Sequence, residues 1–324
     1  MSKRFDNKKL LYIFGTLFIG LLLTFLLKVP KEKATLKGAL IQFDTSAVSK
    51  IIITPKKTAG NPFEFIKENG KWTVRQGNIT ADPAEGAVRN IFSELLSLKA
   101  QSLAAVDKSK SGEFELTDSL STGVQFLNSK GKELAGIQIG KFSYRQTPGQ
   151  YGYYNGNNVE GTSYVRVDNE KEIYGVDGFL AVSFSGNFSD WRNKSLVRCK
   201  KDDILKITFF YPGDSSFTLQ KKDHGWAAGD TEADSVSVER YLNTLSYING
   251  EGFKDDFKPG ADPEYTITVE GNNLLNFSVR CYPVKEEDDE YILTSSLNPD
   301  VFFTGKKTGT FSQIFKPRKY FLKK

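Results

Sequence analysis

The chain has 324 residues, 39% of them hydrophobic and 13% aromatic, enough to fill two ordinary cores and too apolar for a disordered protein. Its net charge of +5 is local: Lys3, Arg4, Lys8 and Lys9 against Asp6, and Lys28, Lys31, Lys33 and Lys37 against Glu32, carry +3 each and leave the rest at −1. A nearly neutral folded part lacks the clustered basic charge that a nucleic-acid partner needs, so none is expected.

Residues 1–9 read as a cytoplasmic tail, 10–27 as a transmembrane anchor and 28–47 as a juxtamembrane stalk. Leu10 to Leu27 holds no charge over 18 residues. As a helix at about 1.5 Å per residue it covers roughly 27 Å, close to the hydrocarbon thickness. A cleaved signal peptide usually has a shorter apolar core, roughly 7–15 residues, and ends in a small-x-small site. Here the run ends in Lys28-Val29-Pro30, with no cysteine after it for lipid attachment. The sequence therefore favours an uncleaved single-pass anchor in a bacterial inner membrane. The basic tail favours a cytoplasmic N-terminus, with the bulk of the chain periplasmic or otherwise extracytoplasmic.

Residues 48–170 are expected to form a first α+β unit. Val48 to Thr54 is a β-branched run that reads as a strand. Phe63 to Lys67 and Lys71 to Val74 read as a hairpin across Asn69-Gly70, residues that tolerate positive φ. Asp82, Pro83 and Glu85 suit the N-cap, N1 and N3 positions of a helix. Val88, Ile91, Phe92, Leu95 and Leu98 then follow at helical spacing, one apolar stripe to lay on a sheet. Gly123 to Leu127 and Leu134 to Ile139 form another hairpin signal. A loop rich in Gly, Asn and Tyr runs from Tyr144 to Gly161, and Tyr164 to Val167 closes the unit as a strand.

Residues 171–203 read as a connecting segment, and 204–324 as a second α+β unit built like the first. Ile53-Thr54 returns as Ile207-Thr208, Phe63 as Phe217, Phe65 as Leu219 and Trp72 as Trp226, all at an offset of 154. A fixed offset is the mark of a duplicated unit. The second helix, capped by Asp234, shows Val238, Tyr241, Leu242, Leu245 and Ile248 at an offset of 150 instead. A four-residue deletion ahead of that helix accounts for the slip. Tyr265 to Val269, Leu275 to Val279 and Tyr291 to Leu293 echo the later strands. The expected class is α+β: an N-terminal transmembrane helix, then two related units, each a mainly antiparallel sheet with a packed helix.

The order of motifs resembles a known family. Gly70-Lys71-Trp72 ends a hairpin, Ala81-Asp82-Pro83 opens a helix ending in Leu95-Leu96-Ser97-Leu98-Lys99-Ala100, and Tyr164-Val165-Arg166-Val167 and Trp191-Arg192-Asn193-Lys194-Ser195-Leu196 follow. Over roughly residues 48–260 the chain looks like domain-of-unknown-function family 4340, from bacterial membrane-anchored proteins. The resemblance implies an extracytoplasmic accessory of an ABC-type transporter of the gliding-motility kind. Its implied partners are permease or ATPase subunits and the lipid bilayer. It brings no catalytic residues with it.

The residues themselves offer little chemistry, and no catalytic residue, cofactor or metal is expected. His224, the only histidine, sits in a turn before the repeated tryptophan, where the first copy has Asn69-Gly70. Cys199 and Cys281 admit either a disulfide in an oxidising compartment or two separate buried thiols. The acidic run Glu286 to Glu290 lacks the alternating carboxylates and glycine of a calcium loop and reads as a solvated hairpin tip. The basic C-terminal tail, with Phe315, Tyr320 and Phe321, suits either anionic lipid or a last packed strand. Tyr144, Tyr151, Tyr153, Tyr154 and Tyr164 are the candidate partner or glycan surface, set against plain hairpin packing. The function expected is a non-enzymatic single-pass membrane accessory of an ABC-type transport complex. The alternative is a cell-envelope module that binds glycan or polymer.

Overall fold

A computed structural model of the protein describes residues 14, 16–18, 38–57, 60–147, 158–284 and 290–323. The anchor expected at 10–27 lies outside the described residues apart from Phe14, Thr16, Leu17 and Phe18. Among the described residues no helix is long and apolar enough to cross a membrane.

The α+β expectation gives way to a fold dominated by antiparallel β-sheet. The first nine strands are β1 Val48–Thr54, β2 Phe63–Glu68, β3 Lys71–Gln76, β4 Ile79–Ala81, β5 Ala100–Ala105, β6 Thr122–Asn128, β7 Glu133–Thr147, β8 Asn158–Val167 and β9 Ile173–Asp177. They form one sheet in the order β4-β3-β2-β1-β6-β7-β8-β9-β5. A short ladder follows from β10 Ser195–Arg198 and β15 Tyr247–Asn249. The remaining strands are β11 Ile204–Phe210, β12 Phe217–Lys222, β13 Gly225–Ala228, β14 Thr231–Glu232, β16 Gly252–Phe253, β17 Tyr265–Gly271, β18 Phe277–Pro283, β19 Glu290–Ser295 and β20 Asn298–Lys306. These nine make a second sheet in the order β14-β13-β12-β11-β17-β18-β19-β20-β16. With β10 and β15 set aside, the two sheets have the same connectivity. The helices α1 Ala87–Leu96 and α2 Ser235–Leu245 are only 10 and 11 residues long.

Each helix lays one apolar face on its sheet. Val88, Ile91 and Leu95 of α1 are buried with Ile51, Phe65 and Phe126; Val238, Tyr241, Leu242 and Leu245 of α2 are buried with Ile207, Leu219 and Phe277. Removing a side chain of this size from water is worth about 1.5–3 kcal/mol. The phenol of Tyr241 would be costly to bury unpaired, and it donates to the carbonyl of Ile314 at 2.8 Å.

Register refines the duplication. Ile53 pairs with Phe63, and Phe209 pairs with Phe217. Ile53 therefore corresponds to Phe209, not Ile207, an offset of 156. The loop after β11 is two residues shorter than the loop after β1. A two-residue slip preserves side-chain alternation, so the sequence match looked sound on either register. The four missing residues lie in the next hairpin. Val74 pairs with Ala81, seven positions on, whereas Ala228 pairs with Thr231, three positions on. Both turns are tight, with Gly77 at φ +56° and Gly229 at φ +63°.

Several local expectations are corrected. Asp82 does not cap α1: the N-cap is Gly86, at φ +73°, with no side-chain bond, and Asp82 pairs with Lys71 at 2.9 Å. Asp82 stands ahead of Ala84, which holds the place of the capping Asp234: Ala84 donates to the Trp191 carbonyl as Asp234 does to that of Phe321. Residues 171–203 are no mere connector, since β9 joins the first sheet and Leu180, Phe184 and Phe188 enter the first core. The tyrosine-rich loop is largely hairpin: β7 and β8 pair from Ile137↔Val167 out to Thr147↔Asn158, and only 148–157 lie outside the described residues.

Asp234 does cap α2, accepting from the amide of Ser237 at 3.0 Å. The hydroxyl and amide of Ser237 hold its carboxyl below the ordinary value. A lowered carboxyl contributes stability at neutral pH that is lost on acidification through the carboxylate range. Asp234→Ala is expected to lower the thermal midpoint by about 2 °C at pH 7, with the difference shrinking toward pH 3. Asp82→Ala should leave the midpoint within error at both, as followed by circular dichroism.

Candidate functional site

The two sheets are joined by a backbone ribbon. Asn193 donates its amide to the Asp82 carbonyl and Ala84 donates to the Trp191 carbonyl, both at 2.8 Å. On the other side Gly250 donates to the Lys194 carbonyl at 2.9 Å, and Ser195 pairs with Asn249. The segment 191–198 thus runs between residues 82–84 of the first unit and 247–250 of the second.

Arg192 locks this seam. It is 3% exposed, and its guanidinium donates to both carboxylate oxygens of Asp255 at 2.8 and 2.6 Å. It also lies 3.6 Å above the Phe253 ring and 5.3 Å from that of Phe188. A planar fork suits both the bidentate carboxylate and the stack, which an ammonium would not satisfy together.

Beside the ribbon lies a cleft of about 810 Å³, within the usual size of ligand sites. Three of the motifs that carry the family resemblance converge on it: Gly70-Lys71-Trp72, Asp82-Pro83 and Arg192-Asn193-Lys194-Ser195. From the second unit come Arg198, Tyr247 and Asn249. The Arg198 guanidinium sits 3.5 Å over the Tyr247 ring and donates to the carbonyls of Val197 and Ile248 and to the Asn249 side chain. Lys71 pairs with Asp82, and Lys194 with Asp190 at 2.8 Å. Sequence reasoning had the motifs but not their meeting point, because the ribbon's contacts with the first unit join residues more than a hundred positions apart.

The candidate tyrosines are not brought together there. Tyr144 is 65% exposed on the β7 arm. Tyr164 packs on Phe114 at a ring distance of 4.7 Å, with the Lys141 ammonium over both rings. Tyr151, Tyr153 and Tyr154 lie outside the described residues, as do Glu286, Glu287, Asp288 and Asp289. His224 is an exposed residue of the β12–β13 turn. Phe315 and Phe321 of the C-terminal tail are buried in the second core, and Arg318 donates to the Ala228 carbonyl. Among the described residues no group of three or more His, Cys, Asp or Glu side chains could hold a metal ion.

A second hollow lies by Glu133, Gly136 and Asp168. Burial, then the neighbouring Glu133, pushes the Asp168 carboxyl up. A Cβ at Gly136 would stand 1.8 Å from Asp168 Oδ2, so a larger residue there would displace that carboxylate.

Cys199 and Cys281 are both free thiols. Burial, with Asp203 nearby, pushes Cys199 up to about 11. Burial, with Glu264 adding to it, raises Cys281 further. Thiolate is the reactive form, so native protein at pH 8 is expected to resist iodoacetamide for hours and to take up two equivalents once unfolded, read by intact mass. For the seam, Asp255→Ala leaves a buried guanidinium unpaired. With Asp255 37% exposed, the expected loss is about 2–3 kcal/mol, below the full cost of breaking a buried pair. Lys71→Ala, whose pair is 72% and 46% exposed, should cost under about 1 kcal/mol. Denaturant titration of both variants checks the ranking.

No curated protein and no solved structure matches the chain. A family model described as "Domain of unknown function (DUF4340)" matches residues 72–268, which include Trp72, the helix opening, the Trp191-to-Leu196 ribbon and the second unit as far as β17. The chain belongs to the DUF4340 family.

Proposed function

We propose that this chain is a non-enzymatic accessory component of an ABC-type transport complex. It acts at the bacterial cytoplasmic membrane, with its two sheets on the extracytoplasmic side. One observation carries the reading: the motifs of the family resemblance meet at a seam between two welded units. There they supply paired ions, amides and ring edges, the furniture of a binding surface. The charge-free stretch Leu10 to Leu27, with basic residues on both flanks, supports the location. The transporter as partner rests on the resemblance alone, an argument by analogy.

The full chain, tagged at its C-terminus and extracted from its own membranes in mild detergent, should co-purify with permease or ATPase subunits in amounts comparable to itself. Recovery of the chain free of any such subunit, from membranes where both are expressed, rejects the proposal.

A further inference from the structure

The seam cleft brings both signs of charge together, most of them already partnered. Lys71 is spent on Asp82, Lys194 on Asp190, and Arg198 on two carbonyls and the Asn249 side chain. An anionic ligand would meet the carboxylates of Asp82, Asp190 and Glu85 along the same walls, and a cationic one would meet Lys71, Lys194, Arg198 and Arg192, the last already paired with Asp255. The side-chain oxygens of Asn193 and Asn249 already accept from Ser195 and Arg198, and a ligand without polar groups would strand their NH2 groups away from water. Charge and polarity together select a neutral ligand rich in hydrogen-bonding groups.

The walls narrow the class further. Trp72 stands on the first unit's side, and Tyr247, 66% exposed, on the second's. Arg198 covers one face of the Tyr247 ring and holds it in place. Flat rings offer a large apolar surface at low entropic cost, with a polar handle on each. A polypeptide adding as a strand is disfavoured, because the ribbon's backbone is committed on both sides through Asp82, Ala84, Trp191, Asn193, Lys194 and Gly250. We propose that the seam cleft binds a neutral glycan chain, whose pyranose rings lie against Trp72 and Tyr247 while the side-chain amides of Asn193 and Asn249 meet its hydroxyl or acetamido groups.

This assignment goes beyond the transporter reading and does not depend on it, since glycan binding is measured on the isolated chain. It also moves glycan recognition from the tyrosine arm to the seam. The full chain is kept in a polyoxyethylene detergent, which carries no sugar headgroup, and titrated with the neutral N-acetylglucosamine hexamer. Tryptophan emission and calorimetry are the readouts. Saturable binding is expected, with a shift in emission that Trp72→Phe removes. Tyr247→Ala should weaken binding about tenfold, as for a central aromatic anchor, with no change in unfolding midpoint, and Tyr144→Ala should leave affinity unchanged. The proposal is overturned by absence of saturable binding. It is equally overturned by binding insensitive to both cleft variants, by loss of affinity in Tyr144→Ala alone, or by tighter binding of a galacturonate hexamer or a proline-rich peptide.

Discussion

The segment 191–198 has to satisfy two sheets at once, and that constraint organises the molecule. A buried strand cannot leave backbone donors or acceptors unpaired without paying several times the worth of one hydrogen bond. Here the obligation is met by residues 82–84 on one flank and 247–250 on the other. The two units are therefore not beads on a flexible linker. Their relation is set by ladder geometry, and Arg192 fixes it further by filling the space between Phe188, Phe253 and Asp255.

Comparison of the two copies identifies Arg192 as a specialised residue. Pro83 bridges to Arg192, and Ala233 bridges to Leu322, so the same backbone position carries arginine in one unit and leucine in the other. Leu322 is half-buried against its own core, the ordinary role for that site. Arginine stands where another unit packs, and its stacking partner Phe253 lies on the edge strand β16. The equivalent edge residue in the first sheet is Leu103, which is 38% exposed. Covering an edge strand removes a template for unwanted pairing, so the seam protects β16 while it aligns the units.

The parts of this fold that could be read in the sequence were those with strong periodicity or special turn residues. β1, β2, β11 and β12 are β-branched or aromatic runs with alternating burial, and Asn69 and Gly70 do adopt positive φ, at +50° and +82°. The helical stripes of Val88 to Leu95 and Val238 to Leu245 were equally plain. What escaped were the short edge strands. Ala100–Ala105 has no β-branched residue, and Thr231–Glu232 is two residues long. Neither has a signal independent of its neighbours, and their pairing is decided by tertiary context. The same omission made the fold class look richer in helix than it is. The cleft was invisible for a related reason: each motif was legible alone, but their juxtaposition depends on a ribbon that residue patterns do not encode.

The misplaced cap shows how far a local rule reaches. Asp82-Pro83 has the right residues to open a helix, yet α1 begins at Ala87 behind a left-handed Gly86. The extra hairpin residues are all contained between Val74 and Ala81, and from Ala81 and Thr231 onward the two copies run in step, with Val88 matching Val238. Residues 82–84 pair with 191–193 as 233–234 pair with 321–322, and the place of the capping Asp234 falls to Ala84, whose methyl group cannot cap. In the second unit the hairpin is shorter and Asp234 caps α2 directly, while Asp234 still donates its amide to the Phe321 carbonyl at 2.7 Å. The polar turn from Asp82 to Gly86 stands beside the seam and forms one side of the cleft.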